Sequence, residues 1–240
     1  MHSVLTRLIE SSSRYGWAGL QKRLAYYGFV HGWLFGVADI QLLGLLGFTV
    51  PDGPELLAGY DYSFASLFDL DDMLFCVPIG DRRKLDELFR GFFACGFRCA
   101  IARNNSVVVG FNWAFTGECI ITPDDYRHST VVSMDSRSIF TGNAYVAPEH
   151  RGRGVIRQLK CLLFENYPKG TSFYTAVNNL NASSLRANTH MGFHQLATVR
   201  YLVTPFGTRT YLKKQGDDRW VRLYRQPPAL RIVQASVIAD

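Results

Sequence analysis

Apolar residues recur along this chain with two different periods, and the switches between them mark out its elements. Between Asp81 and Gly96, the residues Leu85, Leu88, Phe92 and Cys95 fall on the inward side of a helix. Val155, Leu159, Leu162 and Leu163 do the same for a helix that opens after Gly154. Short apolar runs bounded by turn residues predict strands at Tyr62–Asp69, Phe97–Ala102, Val107–Phe115, Ile139–Val146 and Ser172–Val177. The turn Arg103-Asn104-Asn105-Ser106 separates two of them, and Ala197–Thr204 with Thr208–Lys213 forms a hairpin around Pro205-Phe206-Gly207. Strands interleaved with helices in this order predict an α/β fold on a mixed sheet, an α+β arrangement with flanking helices.

The ends of the chain read differently. Met1 to Lys22 patterns as a basic helix interrupted at Ser11-Ser12-Ser13, and Tyr26 to Val50 is very apolar, broken by His31, Asp39 and Gln41. Asp39 would be costly inside a bilayer, and the apolar pieces beside it are short for spanning. Residues 1–59 are therefore expected to be an N-terminal appendage, either lying on a membrane surface or packed on the main domain, with Pro51 to Gly59 as connector. Residues 60–214 form the principal domain and 215–240 a peripheral C-terminal tail. Residues 118 to 138 form a longer excursion before the central strand.

Composition narrows the function classes. The 240 residues are 48% hydrophobic and carry a net charge of +6, which suits a globular protein with an anionic ligand, an acidic carrier protein or an anionic membrane surface. There is no long Lys/Arg run, so nucleic acid is not expected as a partner. Five cysteines at irregular spacing, without histidines at ligand spacing, predict reduced thiols, no metal site and a cytoplasmic location. No cleavable leader pattern opens the sequence.

The most informative stretch is Val146-Ala147-Pro148-Glu149-His150-Arg151-Gly152-Arg153-Gly154-Val155-Ile156. A strand end, a basic glycine loop and a helix start follow one another here. Successive backbone N–H groups and the positive end of the helix dipole form a phosphate site in such a turn. Gly152 and Gly154 allow a sharp turn and a close approach to an anion. The spacing fits neither the nucleoside-triphosphate loop nor the dinucleotide turn. Further on, Asn181 reads as the N-cap of a helix that Gly192 ends, with Asn181, Ser184 and Asn188 on one face.

Tyr145 through Val155, together with Asn181 and the Gly192-Phe193 pair eleven residues later, resembles the two signatures of the GNAT superfamily of N-acyltransferases. One position departs: Ile156 stands where that family usually has Gly or Ala. The resemblance implies a GNAT-like acyl-CoA fold with the N-terminal segment as an addition. It implies that His150, Arg151, Gly152, Arg153, Gly154 and Val155 hold the diphosphate of acetyl-CoA, or of another acyl-CoA. It further implies that backbone N–H groups of Tyr145 and Val146 face the thioester, with Asn181 and Ser184 along the pantetheine arm. A tyrosine that many members use to protonate the leaving thiolate is replaced here by Asn188, which can hydrogen-bond the sulfur but supplies no proton. For a base, the polar residues on the expected acceptor side are Glu118, His128, Asp135 and Tyr201, and His190 points to a different face from Asn188.

Three functions follow. The first is N-acetyltransfer from acetyl-CoA to a primary amine of a small metabolite, an amino sugar or amino acid, in a ternary complex. The second is transfer of a long acyl chain delivered by an acyl carrier protein, giving an N-acyl amino acid. The third is a catalytically inactive CoA-binding protein, for which Asn188 is the support. Location is expected to be cytoplasmic, with residues 1–50 either making peripheral contact at the inner membrane surface or packing on the main domain.

Overall fold

The computed structural model describes residues 2–31, 35–46, 57–122, 128–224, 227–233 and 236–239, with side chains from residue 17 onward. Its helices are α1 (His2–His31), α2 (Leu70–Phe75), α3 (Arg82–Ala94), α4 (Val155–Glu165) and α5 (Ala182–His190). Its strands in chain order are β1 (Gly36–Leu45), β2 (Asp61–Phe64), β3 (Arg98–Asn104), β4 (Val107–Thr116), β5 (Glu118–Ile121), β6 (Thr130–Met134), β7 (Ser138–Val146), β8 (Ser172–Asn178), β9 (His194–Thr204), β10 (Gly207–Lys214), β11 (Val221–Leu223), β12 (Ala229–Val233) and β13 (Ser236–Ala239). Nine strands form one mixed sheet in the order β11-β10-β9-β1-β8-β7-β4-β3-β2, and four form a smaller sheet in the order β13-β12-β6-β5. This is the mixed α/β class expected from the pattern.

One face of the large sheet carries α2, α3, Phe29 of α1 and the small sheet. Phe89, Phe92 and Phe93 of α3 pack edge-on or tilted against Trp113 of β4 at 4.8–5.3 Å between ring centroids. Val132, Leu230, Ile232 and Val237 of the small sheet join the same cluster. The opposite face carries α4 and α5, with Val155, Leu159, Leu163 and Phe164 on Ile139, Phe173 and Phe193. Small side chains under α4, Ala100, Ala102 and Ala114, let that helix lie close to the strands.

The N-terminal segment departs most from expectation. Residues 36–45 do not stand apart from the sheet; β1 runs between β8 and β9, antiparallel to both. The alternation of Ala38, Ile40 and Leu42, all buried, is the signature of a half-covered strand. Asp39, which interrupts the apolar run, lies directly opposite Arg200 of β9 and accepts a forked hydrogen bond from its guanidinium at 2.7 and 2.8 Å. Gly36 is required where β1 passes α1, because a Cβ there would sit 2.3 Å from the Phe29 backbone nitrogen. α1 itself runs unbroken through Ser11–Ser13, and no helix among the described residues is long and apolar enough to cross a membrane.

Three further segments differ. The first predicted strand ends at Phe64, after which Ser66 donates its N–H and Oγ–H to Asp69 and turns the chain. The excursion at 118–138 contains β5 and β6, and the C-terminal tail contributes β11 to the large sheet and β12 and β13 to the small one. Most of the expected connector, residues 51–56, lies outside the described residues.

Candidate active site

The β7 and β8 strands are parallel neighbours, but they pair only from Ser138↔Ser172 to Thr141↔Thr175. Beyond that rung β7 continues to Val146 and β8 to Asn178 without touching rungs, so a wedge opens in the middle of the sheet. Thr141 closes its base by donating from Oγ1 to the Tyr174 carbonyl at 3.2 Å. Within the wedge β7 is bulged: the register against β4 moves from Trp113↔Gly142 to Phe111↔Tyr145, leaving an extra residue. Asn143 takes a left-handed backbone there (φ 46°), and it and Ala144 are exposed.

The loop at the top of the wedge has the geometry its sequence promised. His150 and Arg151 close short turns on Ala147 and Pro148. Gly152 and Gly154 both have positive φ, 74° and 86°, and Gly154 is the N-cap of α4 with no side chain capping it. Among the described residues no carbonyl accepts from the amides of residues 152–156. These donors stand at the positive end of an eleven-residue helix, an arrangement able to cradle an anion. The space beside Gly152 is open, since a Cβ built there meets nothing within 4 Å.

The basic side chains around the loop are arranged differently from one another. Arg153 is exposed. Arg151 folds back, donating from Nε to the Val146 carbonyl at 2.8 Å, with its guanidinium 5.5 Å from the Tyr145 ring centroid. His150 is held by Tyr60, whose hydroxyl lies 2.9 Å from Nδ1. Val155 is buried on the sheet and contributes only its amide to the cradle. Ile156 is half-buried against the same core.

On the far side of the wedge, α5 leaves β8. Asn181 is its N-cap as the sequence indicates: its Oδ1 accepts from the Ser184 amide at 3.1 Å and from Ser183 Oγ at 2.9 Å. Asn188, the residue expected to meet a sulfur, is buried and fully engaged. Its Nδ2 donates to the Ser184 carbonyl at 2.8 Å, and its Oδ1 accepts from Lys160 Nζ on α4. Lys160 is 4% exposed, forms no ion pair among the described residues, and has its ammonium 4.5 Å from the Phe193 ring centroid. Burial without a carboxylate pushes its pKa down to about 7.

Neither carboxylate proposed as a base lies in the wedge. Asp135 Oδ1 accepts from Ser138 Oγ at 2.6 Å and from the Arg137 amide at 3.0 Å, capping the turn into β7. That turn is at the paired end of the strand, roughly 23 Å from Tyr145 at the rise of an extended chain. Glu118 is exposed on β5, opposite Ser133 in the small sheet, because the excursion folds onto itself rather than over the wedge. His128 and Tyr201 come together elsewhere, lining a cavity of about 400 Å³ in which His128 Nε2 lies 2.7 Å from Thr208 Oγ1. His190 is exposed at the end of α5. The sequence reading missed Lys160, and it missed Asn112 of β4, which is wholly buried beside the bulge with neither end of its amide partnered among the described residues.

Comparison with known proteins adds a likeness at the level of the fold. No family model and no curated protein matches the chain. Among solved structures it is similar to a conserved protein of unknown function from Staphylococcus epidermidis (TM-score 0.48, 12% identity, covering 81% of this chain and 66% of that one). It is also similar to an acetyltransferase of the GNAT family from Colwellia psychrerythraea (TM-score 0.48, 13% identity, 75% and 57%). A third is an aminoglycoside N-acetyltransferase in complex with CoA (TM-score 0.40, 19% identity, 56% and 91%). The GNAT family is named for two of the similar structures, the Colwellia protein and an acetyltransferase from Novosphingobium aromaticivorans. The chain spans less than two thirds of the length of the first two.

Proposed function

We propose that the chain is an acyl-CoA-dependent N-acyltransferase of the GNAT type, transferring an acetyl group to the primary amine of a small metabolite. The observation that carries this reading is the parting of β7 from β8 directly below an uncapped, glycine-turned helix start. An anion cradle alone would suit many ligands. A cradle joined to a slot through the sheet suits a phosphate-bearing carrier with a long, narrow, amide-containing arm. The residues present fit such a carrier: amides 152–156 for the diphosphate, Arg153 for additional phosphate charge, and the free edge of β7 at Val146 for the arm and the carbonyl oxygen. The expected second donor, the Tyr145 amide, faces β4 instead, as does that of Ala147, which donates to the Val109 carbonyl.

When bound, acyl-CoA supplies an activated thioester carbonyl. The protein's part is then positioning and polarisation. A preformed donor aimed at developing oxyanion charge contributes about 3 kcal/mol, and alignment of an amine beside the carbonyl roughly 7 kcal/mol or more. Neither requires a reactive side chain, which accords with a wedge whose walls are mainly backbone. The base that removes the amine proton is not assigned to Glu118 or Asp135, since both sit at the other end of β7.

Isothermal titration with acetyl-CoA, a long-chain acyl-CoA and acyl carrier protein tests the reading and ranks the donors. Gly154→Val is the decisive variant: it forces a β-branched residue into φ 86° and crowds the amides. Acetyl-CoA affinity should fall at least tenfold, measured at a temperature where circular dichroism shows the variant still folded, since the strained backbone also lowers its thermal midpoint by several degrees. Equal affinity in variant and wild type refutes the cradle, and tighter binding of acyl carrier protein than of acetyl-CoA replaces the small-donor reading with the carrier-dependent one.

A further inference from the structure

Lys160 is the one buried cation of α4 that the proposed chemistry has not yet used. It starts on a helix lying over β2, β3, β4 and β7 and ends on Asn188 of α5, the helix that leaves β8. It therefore reaches from one side of the parted strands to the other. Its depth is set by the fold: because β7 and β8 are parallel, α4 runs back alongside β7, and Lys160 lies five residues beyond Val155, about 7.5 Å down the axis. That level is below the anion cradle and above the last paired rung at Thr141 and Thr175. The groups that meet Nζ are Asn188 Oδ1 of α5 and the Phe193 ring, and no carboxylate or second cation pairs with it among the described residues.

Resting on the acyltransferase reading above, we infer that Lys160, oriented by Asn188, donates the proton that the departing sulfur needs. The substrate nitrogen forms its bond to the thioester carbon, the carbon–sulfur bond breaks, and the sulfur keeps that electron pair and takes a proton from Lys160 Nζ. The new amide loses its extra proton to water, and the lysine regains one from solvent once the products leave. The arrangement supports this in two ways. Asn188 can only accept from the ammonium, since its Nδ2 is committed to the Ser184 carbonyl, so it holds the lysine in place without competing for the proton. The lowered pKa of the lysine lies below that of an alkyl thiol, so transfer to a thiolate runs downhill.

The test does not require the amine substrate. The thiol of bound CoA is titrated by its ultraviolet thiolate absorbance, with the complex of desulfo-CoA subtracted to remove the protein's own five cysteines. Because the lysine itself loses its proton near pH 7, its ammonium faces the thiol only at the acid end of the titration. A minor fraction of thiolate should therefore appear near pH 7, shifted well below the titration of free CoA, and Lys160→Met and Lys160→Gln should abolish that early fraction. A wild-type complex with an unshifted thiol, or a shift that survives both variants, overturns the inference and leaves the thioester cleft standing. Failure of the wild type to bind CoA at all sinks both readings together. Mass-spectrometric detection of acylated Lys160 after exposure to acetyl-CoA also overturns it, because the lysine would then be a nucleophile and not an acid.

Discussion

The buried lysine makes a thermodynamic prediction independent of any ligand. Lys160 has an ordinary pKa of 10.5 and titrates at about 7 in the folded protein. Between those values the unfolded chain holds a proton that the folded chain has released, so stability rises with pH across the window. Below pH 7 both states are protonated and the whole cost of burying the charge remains. At ~1.4 kcal/mol per unit, the gain between pH 7 and pH 9 from this one group is about 2 kcal/mol. Lys160→Met removes the titration but also strips Asn188 Oδ1 of its donor, a loss of about 1–3 kcal/mol that does not vary with pH. The quantity to follow is thus the difference between wild type and variant and not either value alone. Urea unfolding at pH 7, 8 and 9 should show the wild type gaining about 2 kcal/mol on Lys160→Met across the series. Parallel pH profiles for the two proteins would mean that the ammonium is solvated, and the reasoning about Lys160 would fail with them.

Two other perturbations read different parts of the molecule. Gly36→Ala puts a methyl group 2.3 Å from the Phe29 backbone, where no flexible side chain can yield; urea unfolding should register a loss of about 3 kcal/mol, and a loss under 1 kcal/mol would show that α1 does not press on β1. Asn181→Ala removes the cap of α5 and should lower stability by about 1 kcal/mol, with a several-fold weaker affinity for acetyl-CoA in the same calorimetric titration; unchanged affinity would assign Asn181 to capping alone.

The parts of this protein legible in its sequence are those determined locally. The inward stripes of α3 and α4, the glycine loop, the Asn181 cap and the hairpin of β9 and β10 each depend on residues within one or two turns of each other. What could not be read depends on distant partners. Ala38, Ile40 and Leu42 alternate as a strand should, but the flanking apolar residues blur the period, and nothing nearby shows that Asp39 meets Arg200. The small sheet is assembled from the excursion and the tail, two segments whose pairing is invisible until both are folded. Asp135 and Glu118 looked available because loop carboxylates normally are; a turn and a separate sheet occupy them. Lys160 did leave a trace, since it falls four residues from Ile156 and four from Phe164, inside an apolar stripe where a lysine is out of place.

The central position of β1 bears on how the chain can be made and cut. Residues 36–45 leave the ribosome first among the strands, yet their neighbours on both sides, Ser172–Asn178 and His194–Thr204, are synthesised well over a hundred residues later. The early strand must wait with two unsatisfied edges, a condition that invites chaperone capture or self-association during synthesis. A shortened version beginning near Tyr60, the natural choice for anyone seeking a minimal domain, would lack the piece that joins the two halves of the sheet.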